Sequence, residues 1–155
     1  MQRKGKRMSH IEEISIEVRD VDALREACNE LGCDLIQQPH YKWFGEIIGD
    51  GGPLPAGFTA ADMGQCSYAI KVRGANAETY EVGVVQRRDG KPGFVLMWDS
   101  WQGGYGLQAV VGEKCGKLVQ SYATQVAIKQ ARRQGFAVQQ KRLANGKIQL
   151  TMSKG

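Results

Sequence analysis

Between Gly112 and Gln134, Leu118, Tyr122 and Val126 recur every four residues, and Cys115, Val119, Ala123 and Ala127 fill the adjacent row. Apolar residues at that spacing predict an amphipathic helix with one wide apolar stripe. Ala, Gln, Lys and Arg supply most of the rest, all good helix formers. Gly135 sits where a helix-ending glycine belongs, and Lys129, Arg132 and Arg133 lie in the last turns, where they complement the helix dipole. A helix of roughly twenty residues spans about 30 Å, the width of a small domain. Two strands are predicted directly after it, so it is expected to lie across a sheet.

Ahead of that helix the period is mostly two. Ser9–Val18 places Ile11, Ile14, Ile16 and Val18 among Glu12, Glu13 and Glu17, a strand with one wet face. Asp20 suits the N-cap of a helix whose stripe is Val21, Leu24, Cys28 and Leu31, closed by Gly32. Cys33–Gln37 reads as a short strand, stopped by Pro39. Tyr41–Ile48 reads as a strand with a glycine break, and Gly49–Gly57, rich in Gly and Pro, as loop. Tyr68, Ile70 and Val72 alternate; Tyr80 to Val85 and Phe94 to Trp98 complete an antiparallel meander. After Gly135, Phe136–Leu143 and Lys147–Met152 flank Asn145-Gly146, a strong hairpin signal. The expected fold is α+β: an antiparallel sheet of about six strands, two helices packed on one face, and a C-terminal β-hairpin. Residues 1–8 are expected to be a disordered basic tail, and 9–155 a single α+β domain.

Charge changes this picture more than composition does. The chain has 155 residues and a formal net charge of +5. Residues 1–7 carry +4, residues 8–113 carry −8, and from Lys114 onward there are nine basic residues and no acidic one. Such polarity marks a surface for nucleic acid or an acidic protein, or else a basic C-terminal third that packs on acidic N-terminal elements and neutralises them. The four cysteines form no CxxC pair, and Cys28 and Cys115 fall on apolar helix faces. Reduced core thiols and a cytoplasmic location are therefore expected. No apolar run approaches the roughly 18 residues of a membrane span, and the basic N-terminal stretch, without an apolar h-region, is not expected to act as a secretory signal.

Candidate chemistry is sparse. Gly104 to Ala109 matches GxGxxA, but no acid follows Glu113 to hold a ribose, and an antiparallel hairpin comes next. The Gly49–Gly57 loop lacks the Gly-Lys-Ser/Thr ending of a phosphate loop. His10 and His40 have no partner at ligand spacing; a catalytic Cys–His pair could be assembled in space, for example Cys66 with His40, but nothing in the sequence predicts it. Ser67, Ser100 and Ser121 sit in no nucleophile elbow. No metal or cofactor is called for. What remains is a surface: Lys129, Arg132 and Arg133, flanked by Lys114 and Lys117 on the helix, with Lys141, Arg142 and Lys147 on the hairpin. Trp98 and Trp101, in the WDSW stretch, are candidate stacking residues beside it.

Two parts of the chain are similar to one family. Met8-Ser9-His10-Ile11 opening a strand, then Arg19-Asp20 and a helix ending Leu31-Gly32, resemble the DUF1257 family of bacteria and plastids. Gly116 to Phe136 followed by Gly146-Lys147-Ile148-Gln149-Leu150 resembles it too. The resemblance implies a cytoplasmic or plastid-stromal α+β protein with no assigned activity and no active-site residues to carry over. It also implies an ATPase of the AAA class as a candidate partner, and relatives in phages. The reading that follows is a non-enzymatic accessory protein that binds another macromolecule, a protein partner first and nucleic acid second.

Overall fold

The computed structural model describes residues 9–45 and 54–154. Strand β1 (Ile11–Val18) leads through Arg19 and Asp20 into helix α1 (Val21–Glu30), and β2 (Cys33–Gln37) returns. The Asp20 side chain accepts from Ala23 N–H at 2.9 Å, as its position before the helix predicts. Then come β3 (Tyr68–Val72), β4 (Val82–Gln86) and β5 (Phe94–Asp99), a short helix α2 (Leu107–Val111), the long helix α3 (Gly116–Arg133), and the hairpin β6 (Phe136–Arg142) and β7 (Ile148–Lys154).

The fold is α+β and its sheets are antiparallel, as the alternation predicts. The main sheet has five strands in the order β1-β5-β4-β3-β2, and β6-β7 forms a separate two-stranded ribbon. Helices α1 and α3 pack together on one face of the main sheet. There Leu24, Cys28, Leu118 and Tyr122 meet Ile14, Ile70, Val82, Val84, Leu96 and Trp98 in the larger core.

The opposite face has its own smaller core. Ala69, Val85, Val95 and Met97 point into it, and Tyr41, Phe58 and Met63 cover them from the long connection between β2 and β3. No strand forms over 41–45, against the strand expected from Tyr41 to Ile48; residues 46–48 of that expectation lie outside the described residues, as do Gly49–Pro53 and the tail at 1–8. Tyr41 takes its place by another route. Its ring lies flat against β4, where a Cβ on Gly83 would stand 2.3 Å from the ring. Only glycine lets the backbone come that close.

Helix α3 begins at Gly116, four residues later than periodicity predicts. Lys114 and Cys115 take left-handed backbone angles, with φ of 51° and 57°, so the chain turns once before the helix starts. Gly112 has φ 90°, and a Cβ there would fall 2.7 Å from Lys117 N. The far end follows expectation: Gly135 is left-handed and its N–H donates to Arg132 O at 3.0 Å. Among the described residues no helix is long and apolar enough to cross a membrane.

Candidate macromolecule-binding surface

Successive residues of α3 advance about 100° around its axis, so the helix presents three sides. Leu118 and Tyr122 face the large core. Thr124, Ile128 and Ala131 are buried outside that core, on the side along which the hairpin folds back. Ala123 and Ala127 are exposed and Val119 and Val126 half-buried, leaving the third side open. Part of the predicted apolar stripe therefore lines a groove, where Val119 and Val126 also pack against the edge of the core.

The nine cations from Lys114 to Lys154 fall on different sides of this assembly. Lys129 donates to the Asp20 carboxylate at 2.7 Å, and it is the only one of the nine in an ion pair among the described residues. That contact, helped by Ala23 N–H and the nearby Arg133, holds the Asp20 carboxyl below its ordinary range. Arg133 lines the same groove. Arg132 is exposed beside it. At the far end of the hairpin, Arg142 and Lys147 close around a hollow of about 540 Å³ with Lys117, Gln120 and Ser121 of α3, and no carboxylate lines it. Lys141 alternates to the hairpin's outer face, where its neighbours are polar.

Neutralisation by the acidic half is thus slight. Glu30, the α1 carboxylate nearest α3 and the hairpin, is served by neutral donors: Ser121 at 2.6 Å, Gln125 at 3.0 Å and Gln140 at 3.4 Å. The tryptophans do not join the basic surface. Trp98 is 1% exposed, inside the large core, so it offers no ring to a partner. Trp101 stacks flat on His10, with ring centroids 5.2 Å apart. The alternation of Leu96 and Trp98 along one strand is the sequence signal that points Trp98 inward.

Among the described residues, groups suited to catalysis do not converge. Burial pushes the Cys28, Cys66 and Cys115 thiols up to about 12 and Cys33 to about 11, so none supplies a thiolate near neutral pH. Cys66 donates to Gln38 O at 3.3 Å rather than to His40. The GxGxxA match is a run of left-handed turns from Gln102 to Gly106 ahead of the five-residue α2. Two buried carboxylates went unnoticed in the sequence, and both act as backbone anchors. Asp99 accepts from His10, Trp101 and Phe44 N–H at 3.0–3.2 Å, and Glu81 accepts from Lys42 N–H at 2.9 Å.

The groove on the open side of α3 holds about 1110 Å³. Ile16, Val119, Ala123, Val126 and Ala127 form its apolar floor, and β1 with the start of α1 forms its far wall. Tyr122 ties the two walls together: its hydroxyl accepts from Arg19 N–H at 3.1 Å and Asp20 N–H at 3.2 Å. At Val119 the groove runs on into a second hollow beside Glu12, Glu13 and Glu113.

A family model described as "Protein of unknown function (DUF1257)" matches residues 57–151. No curated protein and no solved structure matches the chain.

Proposed function

The chain belongs to the DUF1257 family, and we propose that it is a non-enzymatic accessory protein whose C-terminal third docks an anionic macromolecule. One observation carries this reading. Of nine cations in that third, only Lys129 meets a carboxylate among the described residues, while Lys117, Arg142 and Lys147 gather around a hollow with none. Uncompensated like charge raises self-repulsion and presents a field that steers oppositely charged partners to the surface.

The partner we favour is a protein presenting acidic side chains, with an ATPase of the AAA class as the candidate from family resemblance. The cations sit on several sides of α3 and the hairpin, which suits an irregular protein surface better than a single track of phosphates. Trp98 is buried and has no free face on which a base can stack, and one face of the Trp101 ring is taken by His10. Nucleic acid is the second reading, supported by the absence of any acid after Glu113.

The test is capture from the native host with and without nuclease, by the wild-type chain and by the charge-reversed chain Arg132→Glu, Arg142→Glu, Lys147→Glu. Each captured candidate is then purified and its direct binding measured against salt. A protein whose binding survives nuclease and fails with the reversed chain supports the first reading. Binding of random oligonucleotides that falls steeply with salt, seen by fluorescence anisotropy, shifts the assignment to the second. Capture that ignores the charge reversal overturns both.

A further inference from the structure

We infer that an extended segment of a partner protein adds to the free edge of β1 as a further strand of the main sheet, with alternate side chains seated in the groove along α3. The backbone argues for this occupant first. Ser100 N–H donates to His10 O at 2.9 Å. In an antiparallel pair, successive residues alternate in the side to which their N–H and C=O point. That bond, with Ile11 opposite Asp99, turns His10, Glu12 and Ile14 toward β5. Ile11 and Glu13 therefore turn their N–H and C=O outward, and among the described residues no group bonds to them there. Past Val18 the edge is closed, because Tyr122 takes the N–H groups of Arg19 and Asp20.

The opposite edge of the sheet is built differently. In β2 the outward carbonyls of Cys33 and Leu35 accept from Arg73 at 2.9 Å and from Arg25 at 3.0 Å. Charged cover of that kind blunts an edge against pairing with another chain. β1 lacks it and borders open space instead. Glu12, Glu13 and Ile14 all line the hollow of about 540 Å³, and Ile16 and Glu17 both line the groove of about 1110 Å³. Successive strand side chains point to opposite faces, so space that touches both lies along the edge. Register breaks between Ile14 and Val18. Backbone pairing is thus confined to Ile11–Ile14, and the groove holds the rest of the segment through side chains on Ile16, Val119 and Val126. Charge orients it. The groove balances three carboxylates against three cations, whereas the hollow sets Glu12, Glu13 and Glu113 against Lys114 alone. The segment is therefore apolar at alternate positions, with a lysine or arginine at the end that meets the hollow. The β1 strand of a second copy suits the edge poorly, since it would add its own glutamates to an acidic hollow.

The inference rests on the β1 backbone and not on the hairpin cations, so it and the functional reading fail separately. A displayed library of random peptides is selected on the purified chain, and the tightest peptide is synthesised. Selected sequences should alternate apolar and polar residues and carry a cation at one end. By NMR, the Ile11 and Glu13 amides should exchange quickly in the free chain and roughly tenfold more slowly or better with the peptide bound. Two further peptides are methylated at alternate backbone nitrogens, one on each set. Only one set faces β1, so one peptide should lose roughly tenfold or more in affinity and the other should keep most of it. Glu13→Pro removes an outward N–H that β5 does not use and should weaken binding more than Glu13→Ala does. Ala127→Arg, at an exposed position in the groove, should weaken it as well, and circular dichroism confirms that each variant is folded. Failure to select any peptide overturns the inference. So do peptides that leave the Ile11 and Glu13 amides unchanged, or equal binding by the two methylated forms. Amides already protected in the free chain overturn it too, because a second copy or another segment of the chain then holds the edge.

Discussion

The main sheet and the C-terminal hairpin are both antiparallel β, yet they are made from opposite kinds of sequence. In β4 and β5 nearly every residue from Val82 to Val85 and from Val95 to Asp99 is buried. The one charge among them, Asp99, is held by three backbone N–H groups. In β6 and β7 only alternate residues near one end are half-buried, and the rest face water with lysine, arginine and glutamine. The cause is the number of layers. The sheet is covered by helices on one face and by Tyr41, Phe58 and Met63 on the other, so both side-chain sets must be apolar. The hairpin is packed mainly against α3 on one face, and its second face, which carries Gln139, Lys141, Gln149, Thr151 and Ser153, is left polar. Residues of the sheet are committed to folding, and those of the hairpin are open to selection for contact.

The comparison breaks first, if it breaks, in the large core. Leu118→Ala is expected to cost about 2–5 kcal/mol in urea unfolding, because Leu118 is fully buried where α3 meets the sheet. An unchanged unfolding midpoint would mean that α3 does not organise the fold. The second face is sharpened by Gly83→Ala. A new methyl group 2.3 Å from the Tyr41 ring overpacks that core, at about 1–3 kcal/mol. Pairing it with Tyr41→Leu should give a combined loss smaller than the sum of the two, since the residues touch.

Between sheet and hairpin lies the Asp20 junction. Asp20→Ala removes both a helix cap and the Lys129 pair, for a loss of about 1–2 kcal/mol at neutral pH. The Asp20 pKa is depressed in the folded chain. Its contribution is therefore complete above the unfolded value of about 3.9 and fades as pH falls through the folded one. The gap between wild type and variant in urea melts should narrow in acid; a gap that widens would show that Asp20 is not held as a carboxylate. The smallest effect belongs to the hairpin. Lys141→Gln, Arg142→Gln and Lys147→Gln together should move stability by no more than about 0.5 kcal/mol each, since all three are exposed. A loss as large as that of Leu118→Ala would place the hairpin among the structural elements and erase the contrast.

Much of this was readable where a period and its boundary signals coincide. Asp20 before Val21, Gly135 after Arg133, and Asn145-Gly146 between alternating runs each name an element end by local chemistry, and each stands where expected. Other features left no periodic trace. Tyr41, Phe58 and Met63 cover a sheet face from irregular backbone, which no pattern announces. Lys114 and Cys115 are ordinary helix-compatible residues forced left-handed by the turn they close, so the helix was expected four residues early. Periodicity showed that Val119, Ala123, Val126 and Ala127 share a side of α3, but apolar spacing does not say whether a core or open solvent lies against that side. The basic surface was legible as charge. Its division among several sides of α3 depends on how the hairpin folds back, which sequence spacing does not encode.

The strand order has a kinetic consequence. Strands β2 to β5 follow one another in space as in sequence, so each can pair with a neighbour already in place. β1 instead pairs with β5, Ile11 opposite Asp99, across the whole intervening chain. Closing that loop loses the most chain entropy of any pairing in the sheet and is repaid only after the meander exists. β1 is therefore the strand expected to dock last, closing one edge of a sheet whose other edge, β2, is already in place. The wall of the groove is then the part of the sheet expected to form last.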